Sequence, residues 1–157
     1  MPLKLNLNKA YTIETCLDYH TAGEPLRIVV DGVAEPKGHT MIEKRQYMRE
    51  NFDSTRRLLM FESREHKDRF GALLTQPERS DSDVGVLFMH NEGYSSMCGH
   101  GTLALMTEFV VSQLVSSSTS SVSQLAIDSP AAPFATGRHQ YVLNSSAPLE
   151  TGLLLSV

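Results

Sequence analysis

The stretch Asn91-Glu92-Gly93-Tyr94-Ser95-Ser96-Met97-Cys98-Gly99-His100-Gly101-Thr102 sets a cysteine among glycines just ahead of an apolar pattern. Leu103, Met106, Val110 and Leu114 follow at helical spacing, which predicts a helix opening at Cys98. A helix N-terminus carries free N–H groups and a partial positive charge, so it favours a thiolate and holds anions. The segment is therefore expected to combine a base with a carboxylate site, through a lowered thiol pKa. The same residues also read as plain architecture, because free cysteines are commonly buried and glycines often shape the turn before a helix.

Working outward, the 157 residues amount to about one domain. With 14 Lys+Arg against 18 Asp+Glu there is no basic stripe for a polyanion, and nucleic acid is not an expected partner. The opening MPLKLNLNKAYTIETC lacks the apolar core and cleavage site of a secretory signal. No run approaches the roughly twenty apolar residues of a membrane span. The expectation is a cytoplasmic protein without a membrane partner. Cys16 and Cys98 are too few for a disulfide framework. Cys16, inside an apolar β-prone run, is expected to be the buried one.

Tyr11 to Asp18 and Leu26 to Val30 read as strands, separated by a loop from His20 to Pro25. Met41, Ile42, Met48 and Phe52 predict an amphipathic helix ending near Asn51 to Ser54. Leu58 to Phe61, Gly71 to Leu74 and Val84 to Met89 read as short strands, and Leu125 to Asp128 as one more. The class that follows is α/β, in the mixed α+β sense, with strand pairing open. Composition divides the chain into 1–111, a Ser-rich linker over 112–123, and a tail over 124–157. From Ala135 onward no clear periodicity emerges, and the apolar end Gly152 to Val157 is expected to mark an incomplete domain or an altered carboxyl terminus.

Among chemistry-bearing residues, His90, Cys98 and His100 cluster in sequence, but a Cys-x-His pair lacks the remaining ligands of a zinc site, and no metal is expected. A cysteine hydrolase needs a His and an Asn or Asp arranged in space around the thiol, which spacing alone does not reveal. Gly99-His100-Gly101 lacks the Walker spacing and its Lys-Ser/Thr ending. His20 and Glu24 offer an imidazole and a carboxylate near one another, yet Gly23 and Pro25 explain that loop as a turn. The stretch with Arg56, Arg57, Arg64, His66, Lys67 and Arg69 reads as a wet surface.

Taken in order, Asp18-Tyr19-His20-Thr21-Ala22-Gly23-Glu24-Pro25-Leu26-Arg27-Ile28-Val29, then Lys44-Arg45, Tyr47-Met48-Arg49, Arg56-Arg57-Leu58-Leu59-Met60-Phe61-Glu62 and the Cys98 segment resemble the proline racemase family. The resemblance runs from about Asp18 to Leu105. Its nearest branch is trans-3-hydroxy-L-proline dehydratase, to which His90 to Ser96 point. The resemblance implies one half of a diaminopimelate-epimerase-like fold, in which two similar α/β halves face each other across a cleft without a pyridoxal cofactor. It implies that Cys98 removes the α-proton of a small imino acid, hydroxyproline or proline, which Gly99 and His100 hold. A racemase reprotonates the other face with a second cysteine; the dehydratase has a threonine there and expels the 3-hydroxyl to give a pyrroline carboxylate.

The chain departs from that pattern at Glu62-Ser63-Arg64-Glu65-His66, where Pro and Gly are usual, and at Ala132, where a glycine is expected. By the resemblance, the position that separates dehydratase from proline racemase or hydroxyproline epimerase belongs to the other half. Alone, the chain is expected to show little turnover, because one wall of a cleft does not exclude water. Pairing, as a homodimer or with a full-length homologue, and a catalytically inert isoform are the competing expectations.

Overall fold

Alternation along the strands builds the layers. In β2 (Glu24–Asp31) Leu26 and Ile28 turn to one face and Val29 to the other. In β4 (Val84–His90) Val86 and Phe88 oppose Leu87 and Met89 in the same way. Strands buried on both faces need cover on both, and helices supply it here. The computed structural model describes residues 14–61, 68–116, 122–132 and 135–144.

One 7-stranded sheet runs in the order β1-β2-β3-β4-β6-β7, with β5 also paired to β4. Its remaining strands are β1 (Thr15–Thr21), β3 (Phe70–Thr75), β5 (Gly93–Ser95), β6 (Val122–Ala132) and β7 (Ala135–Asn144). The β2–β3 and β4–β6 pairs are parallel, the others antiparallel. Helix α3 (Gly99–Ser116) lays Ala104, Leu105 and Met106 on the face carrying Leu26, Ile28, Ala72, Val86, Phe88 and Ile127. Helices α1 (Met41–Asn51) and α2 (Asp53–Met60) cover the opposite face with Met41, Met48, Leu59 and Met60. The mixed α+β class expected from sequence is the one observed.

The helix over Met41–Asn51 lies where its apolar spacing placed it. Thr40 opens it with a capping box, its hydroxyl accepting from the Glu43 N–H while Glu43 accepts from Thr40. Lys44 is 5% exposed, and its ammonium donates to Thr75 Oγ1 and the Gln76 carbonyl.

Four expectations need correction. Leu58 to Met60 belong to helix α2, not to a strand: Arg56, Leu59 and Met60 are buried at helical spacing, which a run of four apolar residues conceals. The first strand is Thr15–Thr21, displaced toward the turn, and residues 11–13 lie outside the described residues. Ala135–Asn144, where no period was apparent, forms β7 and pairs with β6 from Val122↔Asn144 to Ala132↔Ala135. Cys16 is only half-buried on edge strand β1, whereas Cys98 is 5% exposed beneath α3. The departure at Glu62 to His66 falls outside the described residues.

Candidate functional site

Cys98 stands at the point where β5 hands the chain to α3. The Ser95 hydroxyl donates to the Met97 carbonyl at 2.8 Å and shapes the approach. The Cys98 carbonyl then accepts both the Thr102 N–H at 2.9 Å and the Thr102 hydroxyl at 2.8 Å, which opens the helix and fixes the cysteine backbone. The sulfur takes the part that Ser or Asp plays at other helix starts, accepting the Gly101 N–H.

The electrostatic outcome differs from the sequence expectation. Burial pushes the Cys98 thiol up to about 11, and the Gly101 N–H pulls against it without prevailing. The lowered pKa read from the helix N-terminus is therefore corrected: desolvation of the charged form outweighs the donor. Desolvation makes a thiolate formed in this setting a stronger base and also a minor species near neutral pH.

His100 lies against the sulfur, with Nδ1 at 3.5 Å and Nε2 at 3.6 Å. Near-equal distances mean that Sγ faces the ring rather than one nitrogen. That geometry differs from a Cys–His hydrolase pair, in which one nitrogen takes the thiol proton along a hydrogen bond. The imidazole is held by the edge-on ring of Phe70, 5.1 Å between centroids, and the His100 carbonyl accepts the Thr21 hydroxyl at 3.0 Å.

The two glycines beside Cys98 do different work. A Cβ on Gly101 would fall 2.9 Å from Phe88 Cε1, 3.0 Å from Cys98 Sγ and 3.1 Å from Leu26 Cδ1, so any larger residue would force these side chains to shift. A Cβ on Gly99 would meet nothing within 4 Å. Gly99 is exposed, and open space in front of a helix N-terminus beside a thiol is room for an anion.

Sequence pattern singled out Cys98, Gly99 and His100, and the fold brings them together on the first turn of α3. It did not find Phe70, the start of β3, whose ring packs on both His100 and His90. Nor did it find Arg56. That guanidinium donates from Nη1 to the carbonyls of His90 at 2.8 Å and Asn91 at 2.6 Å, fixing the β4–β5 turn, while Nε and Nη2 pair with Asp53. Long-range contacts of this kind have no signature in spacing. The loop from His20 to Pro25 is a two-residue hairpin turn at Ala22 and Gly23, as its turn chemistry indicated. Among the described residues no group of three or more His, Cys, Asp or Glu is placed to hold a metal ion, and no helix is long and apolar enough to cross a membrane.

Known proteins share this arrangement of sequence and fold. The trans-L-3-hydroxyproline dehydratase of Xenopus tropicalis is 56% identical over 89 residues, 57% of this chain and 26% of that protein. The trans-3-hydroxy-L-proline dehydratase of Colwellia psychrerythraea is 47% identical over 122 residues, 78% of this chain and 34% of that protein. The chain thus spans about a quarter to a third of the length of the curated relatives it matches. In fold it resembles a hydroxyproline epimerase from Agrobacterium vitis solved with trans-4-hydroxy-L-proline, at TM-score 0.72 and 17% identity over 83% of this chain and 37% of that one. A probable proline racemase from Agrobacterium radiobacter, solved with carbonate, matches at TM-score 0.72 and 19% identity over 84% of this chain and 38% of that one. The pattern of the family described as proline racemase extends over residues 16–136, from β1 into β7, and the chain belongs to that family.

Proposed function

We propose that the chain supplies the proton-accepting wall of a trans-3-hydroxy-L-proline dehydratase. The observation that carries the reading is the first turn of α3, where a buried thiol, the Gly101 N–H and the open side of Gly99 converge. Gly99 is the more informative glycine. Packing does not require it, an alanine would suit a helix better, and so its small size is explained by a ligand that approaches there.

In this reading the substrate carboxylate lies against the free N–H groups of the turn and the ring beside His100. Cys98, as thiolate, takes the proton from Cα. The electron pair left on Cα forms the C2=C3 bond as the C3–O bond breaks, and the departing hydroxide takes a proton and leaves as water. His100 orients the ring or supplies that proton. The product is a pyrroline-2-carboxylate, and the thiol proton returns to solvent before the next turn. No cofactor enters these steps. Preorganised donors and exclusion of water are what the site has to offer a carbanion.

Proline racemase or hydroxyproline epimerase action shares the first step and differs in the fate of the carbanion. The relatives at 47% and 56% identity, both named as dehydratases, favour water loss. Neither Cys16 nor Cys98 is in a disulfide, which fits a reducing, cytoplasmic setting. The opposite wall of the cleft would come from a second copy or a longer homologue.

The test is a graft of residues 16–136 in place of the matching segment of the Colwellia psychrerythraea protein. Water loss from trans-3-hydroxy-L-proline, followed by mass spectrometry and abolished by Cys98→Ser, is the expected result. A folded graft that is inactive, or one that works equally well with serine at 98, would overturn the reading.

A further inference from the structure

One peptide group links the tip of the β1–β2 hairpin to the thiol. The carbonyl of His100 accepts the Thr21 hydroxyl at 3.0 Å, across 79 residues of sequence. The N–H of that same peptide belongs to Gly101, and it donates to the Cys98 sulfur. A Cβ built on Gly101 would stand 3.0 Å from Sγ, so the Gly101 backbone lies directly beside the sulfur.

We propose that Thr21 is a positioning residue for Cys98, acting through the His100–Gly101 peptide without touching the sulfur. The inference rests on the reading of Cys98 as the base. Its physical ground is that hydrogen bonds sharing one peptide polarise each other: donation into the carbonyl makes the N–H a stronger donor. The hydroxyl also fixes the tilt of the peptide plane, which a bare helical first turn leaves free to fray. The thiolate therefore feels a donor that is both aimed and strengthened from outside the helix.

The hairpin fixes where that hydroxyl stands. Thr21 closes β1 and pairs with Glu24 across a two-residue turn in which Ala22 has φ 50° and Gly23 φ 94°. Positive φ at both central residues matches the twist of the flanking strands, so the turn holds the end of β1 in place beside the first turn of α3.

Few charged groups compete at the sulfur. His100 faces it from its own helix at 3.5 Å. From the strands beneath, Phe88 and Leu26 crowd the Gly101 peptide. His90 packs on the Phe70 ring at 5.4 Å between centroids, and Tyr19 of β1 donates its hydroxyl to Glu108 further along α3.

The experiment is the pH profile of Cys98 alkylation by iodoacetamide on the full chain, with peptide mapping to separate Cys98 from Cys16. Thr21→Val keeps the β-branched shape and removes the donor; it is expected to raise the midpoint by about half a pH unit. Thr21→Ser, which restores the hydroxyl, is expected to bring the midpoint back to that of the unaltered chain. Coincident profiles for Thr21→Val and the unaltered chain overturn the proposal, and so do equal shifts in the Val and Ser variants, which mark mere packing. A measurement on the unaltered chain covers a Val variant that fails to fold: the Gly101 amide resonance should titrate with the alkylation midpoint, and a flat resonance overturns the relay. Alkylation needs no turnover, so a relay without dehydration would sink the proposed function alone, whereas Cys98-dependent dehydration with a flat Thr21 response would sink only the relay.

Discussion

Gly99 and Gly101 share the first turn of α3 but face opposite surroundings: a Cβ on Gly99 would enter open space, whereas one on Gly101 would stand 2.9 Å from Phe88 Cε1. The pair separates packing from ligand binding. Gly101→Ala should destabilise by about 1–3 kcal/mol, because Phe88, Leu26 and the Cys98 sulfur all press on the new methyl. Gly99→Ala should leave the denaturation midpoint unchanged or raise it, while weakening binding of imino acids. Equilibrium denaturation together with ligand titration of both variants checks this. Equal losses of stability would show that both glycines serve packing.

The raised Cys98 pKa sets a direction for alkaline stability. A thiol whose folded pKa lies near 11, above its unfolded value, contributes stability that is fully present below the unfolded pKa and is lost as pH rises through 11. Tyr94, pushed up to about 12 by burial, acts in the same sense at still higher pH. Cys98→Ala should remove the earlier part of that alkaline loss and flatten the curve between about pH 9 and 11. Urea denaturation across that range measures it.

Arg56 joins the α2 helix to the turn that precedes the site. Its side chain is 7% exposed, and it bonds the carbonyls of His90 and Asn91 as well as the Asp53 carboxylate. Arg56→Ala should cost about 2–3 kcal/mol by leaving those carbonyls unpaired. It should also lower Cys98 reactivity, through loosening of the β4–β5 turn. Arg56→Lys should recover only part of both, since an ammonium does not reproduce the planar fork.

The capping box at Thr40 gives a calibration away from the site. Thr40→Ala removes the acceptor of the Glu43 N–H and should cost about 1 kcal/mol with no change in Cys98 alkylation. An altered alkylation rate in that variant would show that reactivity follows global stability rather than local geometry.

These residues also show what a single sequence reveals. Helix α3 was legible because its apolar residues recur at helical spacing, and the strands around Ile28, Leu73 and Leu87 because they are short apolar runs of strand length, buried on both faces of the sheet. The α2 helix was not. Leu58-Leu59-Met60-Phe61 reads as a continuous apolar run, and only burial of Arg56 one turn earlier reveals the helical face. Lys44 was equally hidden, since nothing in its surroundings announces that Thr75 and Gln76 will receive its ammonium. At the candidate site, local pattern placed Cys98 at the start of a helix, which is where α3 begins. The direction of the thiol pKa was not legible, because the helix terminus is encoded locally while burial depends on Leu26 and Phe88, which arrive from distant strands.

If Cys98 reacts within an imino-acid site, a bound imino acid should protect it from alkylation on the chain as it stands. Iodoacetamide labelling of Cys98 and Cys16 would be followed by peptide mapping while trans-3-hydroxy-L-proline, or planar pyrrole-2-carboxylate as a mimic of the carbanion, is titrated in. Saturable protection of Cys98, stronger with the planar anion, and no protection of Cys16 are the expected result. Labelling of Cys98 that is indifferent to both ligands, or protection shared equally by the two cysteines, would contradict it.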